Sequence, residues 1–266
     1  MVKYMLANST IAIGKIKMDR LIDEIKCGNI ICGVAVREKD IEAAEKLRYD
    51  MLLMDFNENN TNNAGTDKSP YDDLCDHLVA IDTDTNKVVG TYRILASNSP
   101  KFVAGCEYIT EHEFNISNLK ATGENIVELS RAVVHPDYRN GAVIKLLWKS
   151  LYVYGVRHNI RYLFGTASYH GVDGTKYDNS FAWLKDKYSV DNSIDAPAYA
   201  PNYPIKDIEY DVQVAKEETP SLIKGYLAMG CKVATGTYID YEFGSIDVLT
   251  ILDLQNTNRM FERMFK

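Results

Sequence analysis

Ile126-Val-Glu-Leu-Ser-Arg-Ala-Val-Val-His-Pro-Asp-Tyr-Arg-Asn-Gly-Ala-Val-Ile-Lys-Leu-Leu-Trp-Lys149 is the stretch that decides the fold of this chain. Its first nine residues, Ile126 to Val134, read as a strand rich in β-branched residues, interrupted by one carboxylate, Glu128, and one guanidinium, Arg131. Pro136, Asn140 and Gly141 then form a turn, and a helix is predicted over 141–157 with Ile144, Leu147, Trp148, Leu151 and Val156 available for burial. A strand running into a helix start offers free backbone N–H groups beside a charged pair. Such a junction suits an anionic carrier with chemistry next to it.

Working outward, Ile30–Val36 reads as a short strand and Asp40–Met54 as a helix capped by Asp40, with Ala43, Leu47, Met51 and Met54 on one face. His77–Ile81 and Val88–Leu95 form an antiparallel hairpin across Asp82–Asn86. Arg161–Ala167 is a strand, Asn179–Tyr188 a helix, and Ile208–Val214 a candidate edge strand. Ser221–Met229 is a helix stopped by Gly230, and Ile246–Leu254 a closing strand. Residues 57–66 read as an Asn-rich mobile loop, and the long connections 97–125 and 191–214 as covers over a cleft. The pattern is α/β (α+β), a mixed central sheet flanked by helices with long loop insertions. No linker divides it, so residues 30–266 are expected to be one domain behind an extension at 1–29.

At 266 residues, 46% apolar and 25% charged, the chain has the composition of an ordinary globule. A net charge of -7 argues against nucleic acid. Six cations between Arg131 and Arg161, against Asp137 alone, instead make a basic face suited to an anionic partner. The alternative is a solvated helix face. Five scattered cysteines without a C-x-x-C pair indicate neither disulfides nor zinc, and no metal is expected. With no spanning run and no signal peptide, the expected location is the cytoplasm. Residues 11–26 mix isoleucines with Lys15, Lys17, Arg20 and Lys26, so that segment either lies on the inner face of an anionic membrane or packs as an ordinary helix.

No histidine has metalloprotease spacing, and no G-x-S-x-G elbow is present. Asp72, Asp73 and Asp76 lack the spacing of a calcium loop and fit better at a cleft mouth or against a cationic substrate. Glu128 stands out because a carboxylate inside an apolar strand needs a reason. Alternation puts Glu128 and Arg131 on opposite faces unless the strand bulges between them. With Arg48 and Arg93 they point either to ion pairs tying sheet to helix or to the lining of a polar substrate site.

These segments together resemble the GNAT N-acyltransferase superfamily, in its hemolysin-like branch. That branch holds ornithine-acyl carrier protein N-acyltransferases and is related to N-acyl amino acid synthases and acyl-homoserine lactone synthases. The matching blocks are Ala44-Glu-Lys-Leu-Arg-Tyr-Asp-Met-Leu52, Asp72-Asp-Leu-Cys-Asp-His-Leu-Val-Ala-Ile-Asp82, Val89-Gly-Thr-Tyr-Arg-Ile-Leu95, Glu128 to Ala142, Tyr162 to Ser168, Leu222 to Gly230 and Asp240 to Leu249. The resemblance implies the GNAT fold and direct transfer of a (3-hydroxy)fatty acyl group from a thioester to an amino acid α-amine. Ornithine is the first choice of acceptor, with glycine or lysine behind it. It further implies a substrate cleft formed by Arg48, Tyr49, Asp76 and Arg93. Glu128 would be general base or amine anchor, Arg131 its catalytic companion, and the backbone of Ala132, Val133 and Val134 would lie near the thioester carbonyl.

The turn departs from the acetyl-CoA users' R/Q-x-x-G-x-G/A, because Arg139-Asn-Gly-Ala142 holds a single glycine. Fewer glycines hold a pyrophosphate less closely. The phosphopantetheine arm of acyl carrier protein, with its one phosphate, is therefore the expected donor at Arg139, Asn140, Gly141 and Ala142, with acyl-CoA as alternative. No permanently bound cofactor is expected. Phe164, Phe181, Trp183, Leu184, Trp148 and Leu151 are the candidates for an acyl channel. A lactone synthase and a non-catalytic acyl-carrier or lipid-binding module are the rival readings.

Overall fold

The computed structural model describes residues 20–53 and 65–257. The expectations for residues 11–19, for Met54 and for most of the loop 57–66 lie outside them. Nine strands build one sheet: β1 (Leu21–Cys27), β2 (Ile30–Ala35), β3 (Asp76–Asp82), β4 (Lys87–Ala96), β5 (Ile126–Val134), β6 (Tyr162–His170), β7 (Lys232–Val233), β8 (Tyr238–Asp240) and β9 (Ser245–Asp253). Their order is β1-β2-β3-β4-β5-β6-β9-β7, with β8 on β9. Among the described strands only β5 and β6 pair in parallel. They are joined by the long helix α3 (Ala142–Arg157), the crossover that a parallel pair requires.

That parallel pair is short. It runs from Ile126↔Tyr162 to Glu128↔Phe164 and stops, although both strands continue for six more residues. Beyond Glu128 the strands part and leave a gap. On the β4 side, Thr91 pairs with Val133 but Arg93 pairs with Ser130, so β5 carries one extra residue between these pairs. Arg131 sits in this bulge with a left-handed φ of 55°. Such a conformation costs a non-glycine residue about 1–2 kcal/mol and has to be held by its surroundings.

The remaining helices are α1 (Glu38–Arg48), α2 (Ser117–Ala121), α4 (Asp178–Tyr188), α5 (Val212–Glu218) and α6 (Ser221–Met229). Helix α3 packs on one sheet face over Leu78, Val127, Leu163 and Leu252. The opposite face is covered by the 97–125 connection, whose Tyr108, Phe114, Ile116 and Leu119 join Leu95, Phe164, Leu249 and Ile251 in a second core. At roughly 1.5–3 kcal/mol for each fully buried large apolar side chain, this connection is a fixed wall of the domain, not the loose cover its length suggests.

Four sequence expectations change. Residues 21–27, within the expected extension, form β1 and pair with β2, so this segment is neither a core helix nor a surface-lying one. Asp40 lies inside α1, after the N-cap Arg37, and its carboxylate accepts from Arg20 at 2.8 and 2.5 Å. Helix α1 widens into a π-turn at Tyr49–Leu53. The expected edge strand at 208–214 is helical from Val212, because Asp211 accepts from the N–H groups of Gln213 and Val214 at 2.6 and 3.0 Å and so caps α5.

Candidate active site

The gap between β5 and β6 has two sides, set by strand alternation. On the α3 side a narrow apolar cavity of about 50 Å³ is lined by Leu129, Trp148, Leu151, Phe164, Thr250 and Leu252, among others. Of the residues expected around an acyl chain, Trp148, Leu151 and Phe164 are here. Phe181, Trp183 and Leu184 instead pack in a third core around α4. Gly165 lets the two strands come together at the root of the gap. A Cβ there would stand 2.1 Å from the Leu129 carbonyl oxygen.

Trp148 also lines a second cavity of about 380 Å³, with Ala132, Val133, Val134, Tyr138, Arg139, Gly141 and Ile144. This cavity sits at the N-terminus of α3, where the first-turn N–H groups have no intrahelical acceptor. Gly141, at φ 90°, makes the tight entry to the helix, and Asn140 accepts from the Ala142 N–H at 3.0 Å. The Arg139 Nε donates to the Val134 carbonyl at 2.9 Å and ties the turn to β5. Because His135 N–H bonds to Val89 O on β4, alternation turns the Val134 N–H toward the gap. The residues expected to meet the pantetheine arm and the thioester thus come together: Ala132, Val133, Val134, Arg139 and Gly141 line one cavity, and Asn140 and Ala142 frame its turn. Of the basic residues, Arg157 and Arg161 are committed to Asp23 and Asp253, whereas Lys145 is exposed and Lys149 half-buried on α3.

The polar centre expected around Arg48, Arg93, Glu128 and Arg131 lies on the opposite face. Asp72 joins the two buried arginines, accepting from Arg48 Nη2 at 2.7 Å and Arg93 Nη1 at 3.1 Å. Asp67 Oδ2 stands 2.9 Å from both Arg48 Nε and Arg131 Nε. Arg93 Nε donates to Ser130 Oγ at 3.1 Å, so the circuit closes on β5 beside the bulge. Burial pushes the Asp72 carboxyl up, but Arg48, Arg93 and the Ser69 hydrogen bonds win and hold it below the usual carboxylate range. Asp76, the acid expected in this cleft, lies elsewhere. It accepts from Tyr154 at 3.0 Å and pairs with Lys101 at 3.5 Å. Tyr49 is half-buried at the start of the π-turn.

Glu128 is 2% exposed, and both its oxygens are taken. Oε1 accepts from Thr110 N at 2.6 Å and Thr110 Oγ1 at 2.5 Å, and Oε2 accepts from Ile109 N at 3.0 Å. Burial raises its carboxyl, while these donors and Arg93 work against the rise. The carboxylate therefore anchors the turn Ile109–His112 to β5.

That turn delivers an acid that sequence reasoning missed. Glu113, Asp240 and Asp247 bring carboxylate oxygens within 4.8 Å of one another. Asp247 pairs with Ser168 across β9 and β6, four residues past the last β5–β6 pair. Asp247 points to the same face as Leu249 and Ile251 of the second core, opposite Thr250 and Leu252 of the apolar cavity. Burial, then the charges of Asp247 and Asp240, push Glu113 up to about 8, with Arg131 opposing. Burial pushes Asp247 up to about 6. No spacing in the sequence announces this trio, because its members come from a loop and two strands.

The Acetyltransferase (GNAT) domain family matches residues 47–149. The chain is 31% identical over 231 residues to an L-ornithine N(alpha)-acyltransferase of Rhodobacter capsulatus, spanning 82% of this chain and 87% of that protein. This protein belongs to the GNAT acyltransferases, in the family of the ornithine acyltransferases. An L-ornithine N(alpha)-acyltransferase of Brucella abortus is 27% identical over 250 residues, 89% of this chain and 88% of its own. Among solved structures, an N-acyl amino acid synthase from uncultured soil microbes shares the fold, with a TM-score of 0.50 at 8% identity, over 88% of this chain and 97% of that one.

Membership makes the chain an acyltransferase that works on an acyl thioester. Three of its cysteines, Cys32, Cys75 and Cys231, are buried thiols pushed up to about 12 by desolvation. Cys231 borders the apolar cavity yet stays protonated. Among the described residues no helix is long and apolar enough to cross a membrane.

Proposed function

We propose that this GNAT enzyme transfers a (3-hydroxy)fatty acyl group from acyl carrier protein to the α-amine of an amino acid, ornithine first, giving an N-acyl amino acid. The observation that carries the reading is the two-sided gap: an apolar cavity on one face of the parting strands and an acidic wall on the other. An acyl chain enters the first side, and a cationic amine is attracted to the second. The relatives named above act on ornithine, whose two amino groups suit a site of clustered carboxylates. Glycine brings no such side chain.

The donor's thioester reaches the gap along the second cavity. Its phosphate meets the α3 N-terminus beside Arg139, where helix N–H groups and the guanidinium both favour an anion. The single glycine of this turn and the cations Arg139, Lys145 and Lys149 around it fit one phosphate on an acidic carrier protein better than the pyrophosphate of coenzyme A. The Val134 N–H supports the oxyanion as the amine attacks. The C–N bond forms, the C–S bond breaks, and the thiol leaves, so no acyl-enzyme is needed. Arg131 lines the acceptor side, and its charge suits the amino acid carboxylate. The setting is the cytoplasm.

The test is turnover by the purified protein with acyl carrier protein or acyl-CoA donors, and with ornithine, lysine or glycine as acceptor. Free thiol release and product mass are the readouts. Ornithine with acyl carrier protein is expected to give the highest kcat/KM. Equal efficiency with acyl-CoA removes the donor assignment, and no thiol release with any amine removes the reading altogether.

A further inference from the structure

The resemblance nominates Glu128 as general base or amine anchor, but it is 2% exposed and both its oxygens already accept hydrogen bonds from the 109–110 turn. What Glu128 holds in place is the turn that ends at Glu113. Resting on the acyl-transfer reading above, we infer that Glu113 is the general base of the reaction, taking the proton that the acceptor ammonium must lose before it attacks the thioester.

Geometry makes the case first. Glu113 lies beside Asp247 on β9 and Asp240 on β8, and Asp247 points to the sheet face opposite the apolar cavity. Its Oε2 is buried and accepts no hydrogen bond among the described residues. A buried carboxylate oxygen without a donor is costly, and an incoming N–H is the partner that relieves it. A base also has to reach its substrate: Glu113 has an oxygen with no hydrogen-bond partner among the described residues, whereas both oxygens of the buried Glu128 already accept.

The electrostatics agree. Five groups act on or beside this carboxyl: Asp247 on β9, Asp240 and Tyr238 on β8, and Glu128 and Arg131 on β5. Three of the four that act on its titration are acids that raise its proton affinity, and burial adds most to the rise. The Glu113 pKa of about 8 matches the working range of a base that must accept a proton near neutrality. Arg131 acts against them.

The proton count closes. The acceptor ammonium gives one proton to Glu113, which passes it to water after product leaves. Attack forms the C–N bond and the tetrahedral oxyanion. Collapse breaks the C–S bond, and the second nitrogen proton ends on the departing thiolate. Asp247 and Asp240 touch neither proton and act as positioning residues by setting the charge around Glu113.

The experiment compares the wild-type enzyme with Glu113→Gln, Asp247→Asn and Glu128→Gln, using the donor and acceptor that the wild type turns over. Wild-type turnover with any amine secures the acyl-transfer reading independently of what the variants do. Glu113→Gln is expected to lower kcat roughly 10²–10⁴-fold, with donor KM little changed, and to abolish the acid limb of the kcat–pH profile. Asp247→Asn is expected to move that limb to lower pH in whatever activity it retains. Glu128→Gln, which loosens the turn, is expected to keep the limb at its wild-type position in whatever activity survives. A Glu113→Gln enzyme with the wild-type profile overturns the inference, as does an acid limb that vanishes only in Glu128→Gln. Near-ultraviolet circular dichroism identifies a misfolded variant, and in that case the Asp247→Asn shift alone decides.

Discussion

Replacing Asp72 by asparagine tests the polar centre that holds the active-site strand. The Asp72 carboxylate is 2% exposed and lies between Arg48 and Arg93, whose side chains are 0% and 1% exposed. It also accepts from the Ser69 N–H and hydroxyl at 2.8 and 2.9 Å. Asparagine keeps the shape but removes the charge, leaving two buried guanidinium groups facing a neutral amide. Breaking one buried pair costs about 3–5 kcal/mol. The retained amide oxygen still accepts one hydrogen bond, so the lower end, about 3 kcal/mol, is expected. That is a large share of the roughly 5–15 kcal/mol that stabilises an ordinary domain. The sign with pH follows from the depressed Asp72 carboxyl. Its contribution is fully present above the unfolded value, about pH 4, and is lost as pH falls through the lower folded value. Urea unfolding of wild type and Asp72→Asn between pH 7 and about pH 3 reads this out. The expected result is a stability gap of about 3 kcal/mol at pH 7 that narrows in acid. Equal midpoints at pH 7, or a gap that stays constant into acid, refute the reasoning.

Two more predictions follow from the charge distribution. Reversing Lys145 and Lys149 to glutamate is expected to raise KM for an acyl carrier protein donor about tenfold at low salt, with kcat held and the effect fading as salt approaches 0.5 M; unchanged KM in steady-state assays removes α3 from the docking surface. Glu113→Gln is expected to raise the melting temperature at pH 8 while turnover falls. Because the Glu113 carboxyl is raised to about 8, ionising it as pH climbs from the ordinary carboxylate range erodes the folded state, and glutamine escapes that erosion. Calorimetry at pH 5 and pH 8 checks the sign, and a variant less stable than wild type at pH 8 contradicts it.

The segment from Ile126 to Lys149 was legible because each of its signals is local. A β-branched run, a turn with Pro136 and Gly141, and apolar residues at helical spacing fix strand, turn and helix without help from the rest of the chain. The oddity of Glu128 and Arg131 in an apolar strand was legible too, and the bulge that reconciles them is present at Arg131. The same local logic failed at Asp40 and at 208–214. Arg20 claims the Asp40 carboxylate from far along the chain, and Asp211 makes a better helix cap than Ile208–Val214 makes a strand.

By itself, then, the sequence determined the kind of protein this is: its longer central strands and helices, the strand-to-helix turn at Gly141, and the charged residues that belong near it. Those follow from periodicity and propensity, which act over a few residues. Tertiary structure alone decided what each charge does. The parting of β6 from β5, set by pairing with distant β9, opened the two-sided gap. The fold of the 97–125 connection turned Glu128 into an anchor and carried Glu113 to Asp240 and Asp247. A carboxylate's role depends on which donors and charges stand within a few ångströms of it, and those neighbours come from parts of the chain that spacing does not relate.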